Sequence, residues 1–220
     1  MKFKAAIFDM GDIFFDATVW RRGLTEHLQA AGVEIDYPNL CLRWEAKLVA
    51  VYLGQRPYWE AFEEYMFDLG LEDAGVGDAI AYARKCAKEI EKRQLFDGVA
   101  ETLAALHAAG VKLAVLSDTE SSEPRVRARL AELEIEQYFD AVLTSIDIGH
   151  VKPTAEAFQR ALDAVGMTKD EACFIAHDDD ELSGAQAFGI TAVAYNYIPG
   201  VPADHYLEHF SELASLVLGV

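Results

Sequence analysis

From Phe96 onward the chain alternates short apolar runs with amphipathic ones, and this alternation constrains the fold more than any other feature. "GVAETLAALHAAG" has helical periodicity and stops at Gly110, a residue suited to a left-handed helix end. "VKLAVLS" follows as a strand. "EPRVRARLAEL" is a helix with Pro124 in its first turn, "AVLTS" a short strand, and "TAEAFQRALDAVG" a helix opened by a Thr cap. "ACFIA", "LSGAQAFG" and "TAVAYN" then read as strand, short helix and strand, and near the N-terminus "FKAAIF" reads as one more buried strand. Strands separated by helices require parallel pairing, right-handed crossovers and a sheet covered on both faces. The expected fold class is therefore α/β, a Rossmann-like parallel sheet core with helices on both faces.

Between the first strand and Phe96 the pattern is different. From about Thr18 to Gln94 the periodicity is helical throughout, broken at Gly32, Gly54 and Gly70. This predicts an all-helical cap domain inserted after strand 1, with 18–94 as the cap and 1–17 and 95–220 as the α/β core. Such an insertion is expected over the carboxyl ends of the strands, where open α/β sheets bind ligands. Its aromatic residues, Trp44 and Tyr58 among them, fall at helical spacing and are expected in its core.

Composition narrows the function. Lys and Arg total 19 against 37 Asp and Glu, a net charge of −18, which disfavours nucleic acid and anionic membranes as partners. No apolar run approaches the roughly 18 residues of a membrane helix. "MKFKAAIFDM" lacks the length and cleavage site of a secretory signal, so the expected location is cytoplasmic. Cys41, Cys86 and Cys173 have no metal-ligand spacing and are expected as reduced, buried small hydrophobes. The partner left by these exclusions is a small molecule, with the protein a monomer or homodimer.

The strand ends supply the chemistry. The first strand ends in Asp9 and the second in Ser117. The loop after "AVLTS" leads to Lys152 before Pro153, and the fourth strand runs into "AHDDDE", residues 176–181. In a parallel sheet these ends share one edge, so a carboxylate, a hydroxyl, an ammonium and an acidic loop are expected together. "IFDMGDI", "LAVLSD", "GHVKPTAEAF" and "CFIAHDDDELSGAQAFGI" resemble the four ordered motifs of the haloacid dehalogenase-like (HAD) hydrolase superfamily, and the helical insertion is similar to the cap of its small phosphatases and 2-haloacid dehalogenases. The resemblance implies that Asp9 is a nucleophile, that Ser117 hydrogen-bonds a transferring oxygen and that Lys152 balances charge on Asp9 and substrate. It also implies a Mg²⁺ held by Asp9, the Gly11 carbonyl and Asp178 or Glu181, and an anionic substrate.

The motifs depart from the family at three positions. Gly11 stands where many members carry the Asp that serves as general acid–base; Asp12, one place further on, is a weak substitute and is expected to cap the loop. Asp118 stands where Asn is common and, as an anion, is a poor donor to substrate. His177 replaces a metal-binding Asp, so that His177 itself is a candidate ligand, acid–base group or loop residue, while Asp179 and Asp180 suit a helix N-terminus. Arg43 and Arg56 are candidate substrate contacts in the cap. Three readings follow: a Mg²⁺-dependent phosphatase, a metal-independent 2-haloacid dehalogenase, and a degenerate domain that binds without turnover. The charge of "HDDDE" beside Asp9 favours the first, because such a loop without a cation weakens the nucleophile.

Overall fold

A computed structural model describes residues 1–89 and 94–220; the last four residues before Gln94 in the expected cap, 90–93, lie outside the described residues. The chain divides into two compact units, 1–16 with 94–220, and 17–93. Among the described residues no helix is long and apolar enough to cross a membrane.

The first unit is built on a six-stranded sheet of β1 (Ala5–Phe8), β2 (Lys112–Ser117), β3 (Ala141–Thr144), β4 (Ala172–Ala176), β5 (Thr191–Tyr195) and β6 (His205–Leu207). The order is β3-β2-β1-β4-β5-β6 and all five pairings are parallel. The chain builds outward from β1 through β2 to β3, then crosses back to β4 on the other side. The reversal places a topological switch point at the carboxyl ends of β1 and β4, where such sheets open a crevice. Asp9 is the first residue beyond β1.

Apolar strands are required because both faces are covered. On one face Ala5, Ile7, Ala114, Leu116, Phe174 and Ala192 pack against α8 (Ala155–Val165) and α9 (Asp179–Phe188). The alternate small residues let these helices approach closely, and Phe158 of α8 meets Phe174 edge-on at 5.2 Å. On the other face Phe8 packs on Phe14 at 5.4 Å and stacks on Phe210 at 6.2 Å, beside α5 (Val99–Ala108) and α10 (Glu212–Leu218). Two further helices, α6 (Glu123–Glu132) and the single turn α7 (Ser145–Ile148), flank β3.

The second unit holds α1 (Val19–Ala30), α2 (Tyr37–Tyr52), α3 (Tyr58–Asp68) and α4 (Asp73–Glu89). Gly32, Gly54 and Gly70 lie between them with φ of +89°, +68° and +87°, so each break falls where the backbone turns left-handed. Trp44 is 1% exposed at the centre, stacked on Tyr65 at 5.5 Å and edge-on to Tyr58 and Phe62. Trp44, Phe62 and Tyr65 lie in this unit's core with Tyr58 packed against it, in line with their helical spacing, whereas Phe67 is exposed.

Several local expectations are corrected. Thr154 does precede α8, but its hydroxyl donates back to the Val151 carbonyl and caps no helical N–H. Pro153, which the sequence suggests as the start of this helix, precedes that N-cap residue and lies outside it. The helix after β4 starts at Asp179, three residues before the apolar pattern, because the acids there suit its N-terminal dipole. The first strand spans Ala5–Phe8, although Phe3 is also buried. All three cysteines are free, but only Cys173 is fully buried; Cys41 and Cys86 are half-buried.

Candidate functional site

Register aligns the strand ends. Phe8 pairs with Val115 of β2 and Ile175 of β4, and Ser117 pairs with Thr144 of β3. Asp9 therefore follows the last paired residue of β1, its N–H held by the Ile175 carbonyl at 2.9 Å. Asp9 and Ser117 are both buried, 9% and 8% exposed.

Lys152 arrives at this edge from the loop before α8 and is sequestered, with 1% of its side chain exposed. Its ammonium donates to Asp9 Oδ1 at 2.5 Å and to the Leu116 carbonyl at 3.0 Å, and it lies 3.0 Å from Glu181 Oε1. One ammonium thus ties the ends of β1 and β2 to α9. The Lys152 backbone N–H donates to the Asp118 carboxylate, 3.1 Å from Oδ2. Asp118 therefore grips the loop that bears Lys152, a role its position in the sequence does not announce.

Two carboxyl groups meet this ammonium and a third, Asp118, lies near enough to act on it through charge, and the titration behaviour follows. Burial pulls the Lys152 ammonium down, yet the charges of Asp9, Glu181 and Asp118 outweigh it and hold the ammonium well above its ordinary value. Burial pushes Glu181 well above the carboxylate range; Lys152 opposes that, while Asp9, Asp178 and Asp118 add to it. Asp118 is raised chiefly by burial, against the pull of Lys152 and its N–H. The second oxygen of Glu181, Oε2, is buried without a protein partner.

The turn after Asp9 is set by backbone. Gly11 bridges to Phe15, and Asp12 takes φ +56°, donating its N–H to the Phe15 carbonyl at 2.9 Å. Asn196 Nδ2, from the loop after β5, donates to the Asp12 carbonyl at 2.8 Å, a contact no sequence motif signals. The loop after β2 is pinned as well: Thr119 N–H donates to Ser145 Oγ at 2.9 Å.

The remaining candidates are spread more widely. Asp178 is the N-cap residue of α9, with its side chain 61% exposed and 3.5 Å from His177 Nδ1. Asp179 and Asp180 occupy the first turn of α9. In the helical unit Arg43 donates to the Asp68 carbonyl at 3.1 Å and lies over Tyr65, and Arg56 pairs with Glu64. Among the described residues no three His, Cys, Asp or Glu side chains form a ligand cluster around a common point; Asp9 and Glu181 meet the Lys152 ammonium, and Asp118 its backbone N–H.

A profile of haloacid dehalogenase-like hydrolases matches residues 3–189, which include every group that meets Lys152. The chain belongs to the haloacid dehalogenase-like hydrolase family. Among its curated relatives, a phosphoglycolate phosphatase of Salmonella paratyphi A is 33% identical over 103 residues, covering 47% of this chain and 40% of that protein. The chain thus spans less than half of that relative's length. An (S)-2-haloacid dehalogenase of a Pseudomonas species is 26% identical over 181 residues, covering 80% of this chain and 77% of that protein. Among solved structures, the putative HAD-hydrolase YfnB of Bacillus subtilis, described bound to magnesium, superposes with a TM-score of 0.75 at 16% identity, covering 99% of this chain and all of that one. At that identity the likeness concerns the fold. This HAD-like hydrolase thus has relatives in both phosphoryl and carbon–halogen chemistry.

Proposed function

We propose that this protein is a Mg²⁺-dependent phosphatase that hydrolyses a small phosphorylated metabolite through a covalent aspartyl-phosphate on Asp9. The observation supporting this most directly is the meeting of Asp9 and Glu181 at the single buried ammonium of Lys152, with Asp118 on the Lys152 N–H and Glu181 Oε2 buried and unpartnered. Asp9 and Glu181 face one another across a single buried ammonium, and an all-oxygen donor set suits a hard divalent ion. By charge and donor type, these residues fit such an ion. Asp9, the Gly11 carbonyl, Asp178 and Glu181 are the groups assigned to hold it. When bound, the ion would supply positive charge that polarises phosphoryl oxygens and stabilises these carboxyl groups as anions.

The chain's own residues have separable tasks. The Asp9 carboxylate attacks phosphorus in line as the bond to the leaving oxygen breaks, and water then releases inorganic phosphate and the free carboxylate. Lys152 holds Asp9 in one orientation and neutralises charge on the transferring group, while Ser117 donates a hydrogen bond to it. Position 11 bears no acid, so the leaving oxygen takes its proton from solvent.

A second reading has one observation in its favour: the alignment to the haloacid dehalogenase covers 80% of the chain, against 47% for the phosphatase. One assay separates the two. Purified protein is given para-nitrophenyl phosphate and a panel of metabolite monoesters with and without Mg²⁺, and in parallel 2-chloropropionate without metal. Phosphate release that needs Mg²⁺ and disappears in Asp9→Asn supports the phosphatase. Metal-independent chloride release replaces it with the dehalogenase, and silence in both arms points to a domain that binds without turnover.

A further inference from the structure

Gly184 stands in the second turn of α9, where a glycine costs about 1 kcal/mol relative to alanine. Its backbone is helical, so no left-handed conformation calls for it. The reason lies across the helix surface. A Cβ built on Gly184 would fall 2.2 Å from Pro153 Cβ and 3.1 Å from both its Cα and its carbonyl oxygen, deep inside van der Waals contact. The α9 backbone therefore rests directly on Pro153, the residue that follows Lys152.

The same helix face meets the same dipeptide a second time. Glu181 lies three residues before Gly184, about 4.5 Å along the axis and on one side of the helix. Its carboxylate is 3.0 Å from the Lys152 ammonium. One turn of α9 thus grips Lys152–Pro153 at two points, through the lysine's charged end and through the proline ring. The distance between helix and loop is fixed where backbone meets ring, and that distance decides whether the ammonium reaches Asp9 and Glu181 together. Asp118 also secures the loop, through the Lys152 N–H.

We propose that Gly184 is a positioning residue: by letting α9 seat on Pro153 it sets the place of the Lys152 ammonium at Asp9. This deepens the reading of Asp9 and Lys152 as the reacting pair, but its first test is geometric and independent of which bond the enzyme cleaves. Three variants are compared with wild type: Gly184→Ala, Pro153→Gly, and the double variant that moves the missing Cβ from one side of the contact to the other. Crystal structures give the Lys152 Nζ to Asp9 Oδ1 distance, and Mg²⁺-supported hydrolysis of para-nitrophenyl phosphate gives kcat and KM.

Gly184→Ala is expected to move the ammonium out of hydrogen-bond range of Asp9 and to lower kcat at least about tenfold with KM changed less than about threefold. The double variant is expected to restore the contact and recover much of kcat, so that the two single effects do not multiply. An unchanged Lys152–Asp9 distance in Gly184→Ala overturns the proposal, as does a double variant whose losses are the product of the single ones. If Gly184→Ala does not fold, the double variant decides: folded with the contact restored, it supports the proposal; unfolded, it overturns it. If wild type releases no phosphate, the phosphatase reading fails while the crystallographic arm still judges Gly184.

Discussion

Lys152 is held at both ends, its ammonium by Asp9, Glu181 and the Leu116 carbonyl, and its backbone N–H by Asp118. Asn in place of Asp118 keeps an oxygen acceptor while removing one of three neighbouring charges. Asp118→Asn should leave the unfolding free energy within about 1 kcal/mol of wild type, whereas Asp118→Ala, which orphans the N–H, should cost about 1–3 kcal/mol in urea denaturation. Gly11 makes an opposite kind of prediction. Gly11→Asp supplies the missing acid and should raise kcat on alkyl phosphates by an order of magnitude or more, with little gain on para-nitrophenyl phosphate, whose leaving group needs no proton; steady-state rates on the two substrates check it. The placement of Asp9, Ser117 and Lys152 at one sheet edge was legible because each ends a strand or precedes a helix in an ordered motif. The grip of Asp118 on the Lys152 N–H was not, since the two residues are 34 positions apart and only the loop's path brings them together. Gly184 looked like a short-helix glycine because its reason is another segment's proline ring.

Among the elements, β1 to β5 were readable because a sheet buried on both faces demands near-continuous apolar runs, which "AAIF", "KLAVLS" and "ACFIA" provide. The edge strand β6 was not: its three residues, His205 to Leu207, carry mixed polarity and follow a loop with two prolines. It is fixed by pairing with β5, a tertiary effect that local pattern does not encode. In the helical unit α2 and α3 are joined by a polar contact inside an apolar core. Tyr65 of α3 donates its hydroxyl to the Leu40 carbonyl of α2 at 2.8 Å, and burial lifts that phenol to about 12, keeping it a donor at any working pH. Tyr65→Phe should lower stability by about 1 kcal/mol, read from a urea midpoint shifted without change in slope.

At the scale of the molecule, two hydrophobic cores fold in one chain, and each unit has its own acid-sensitive pairing. Glu64, hydrogen-bonded by Arg56 and Lys47, and Glu171, hydrogen-bonded by Lys4 and the Thr168 N–H, are each held at about 2 in the folded state against 4.5 otherwise. A carboxyl lowered by folding stabilises the native state above its unfolded value and loses that contribution as pH falls through its folded one. Stability from both should therefore decline between about pH 4.5 and 2, less steeply at high salt because the pairs are exposed. Calorimetry across that range should show Glu64→Gln flattening the decline of the helical unit and Glu171→Gln that of the α/β unit.

The chain leaves the α/β unit after Asp16 and rejoins it at Gln94, two residues before Phe96, whose N–H donates to the Phe14 carbonyl at 2.8 Å. The outgoing and returning backbones are thus stitched side by side, about the spacing of neighbouring strands. An insert anchored this way behaves as a cassette. Any segment whose own two ends meet at that spacing, a different helical bundle or a bare hairpin, could occupy the same socket without disturbing the register of the strands beneath it.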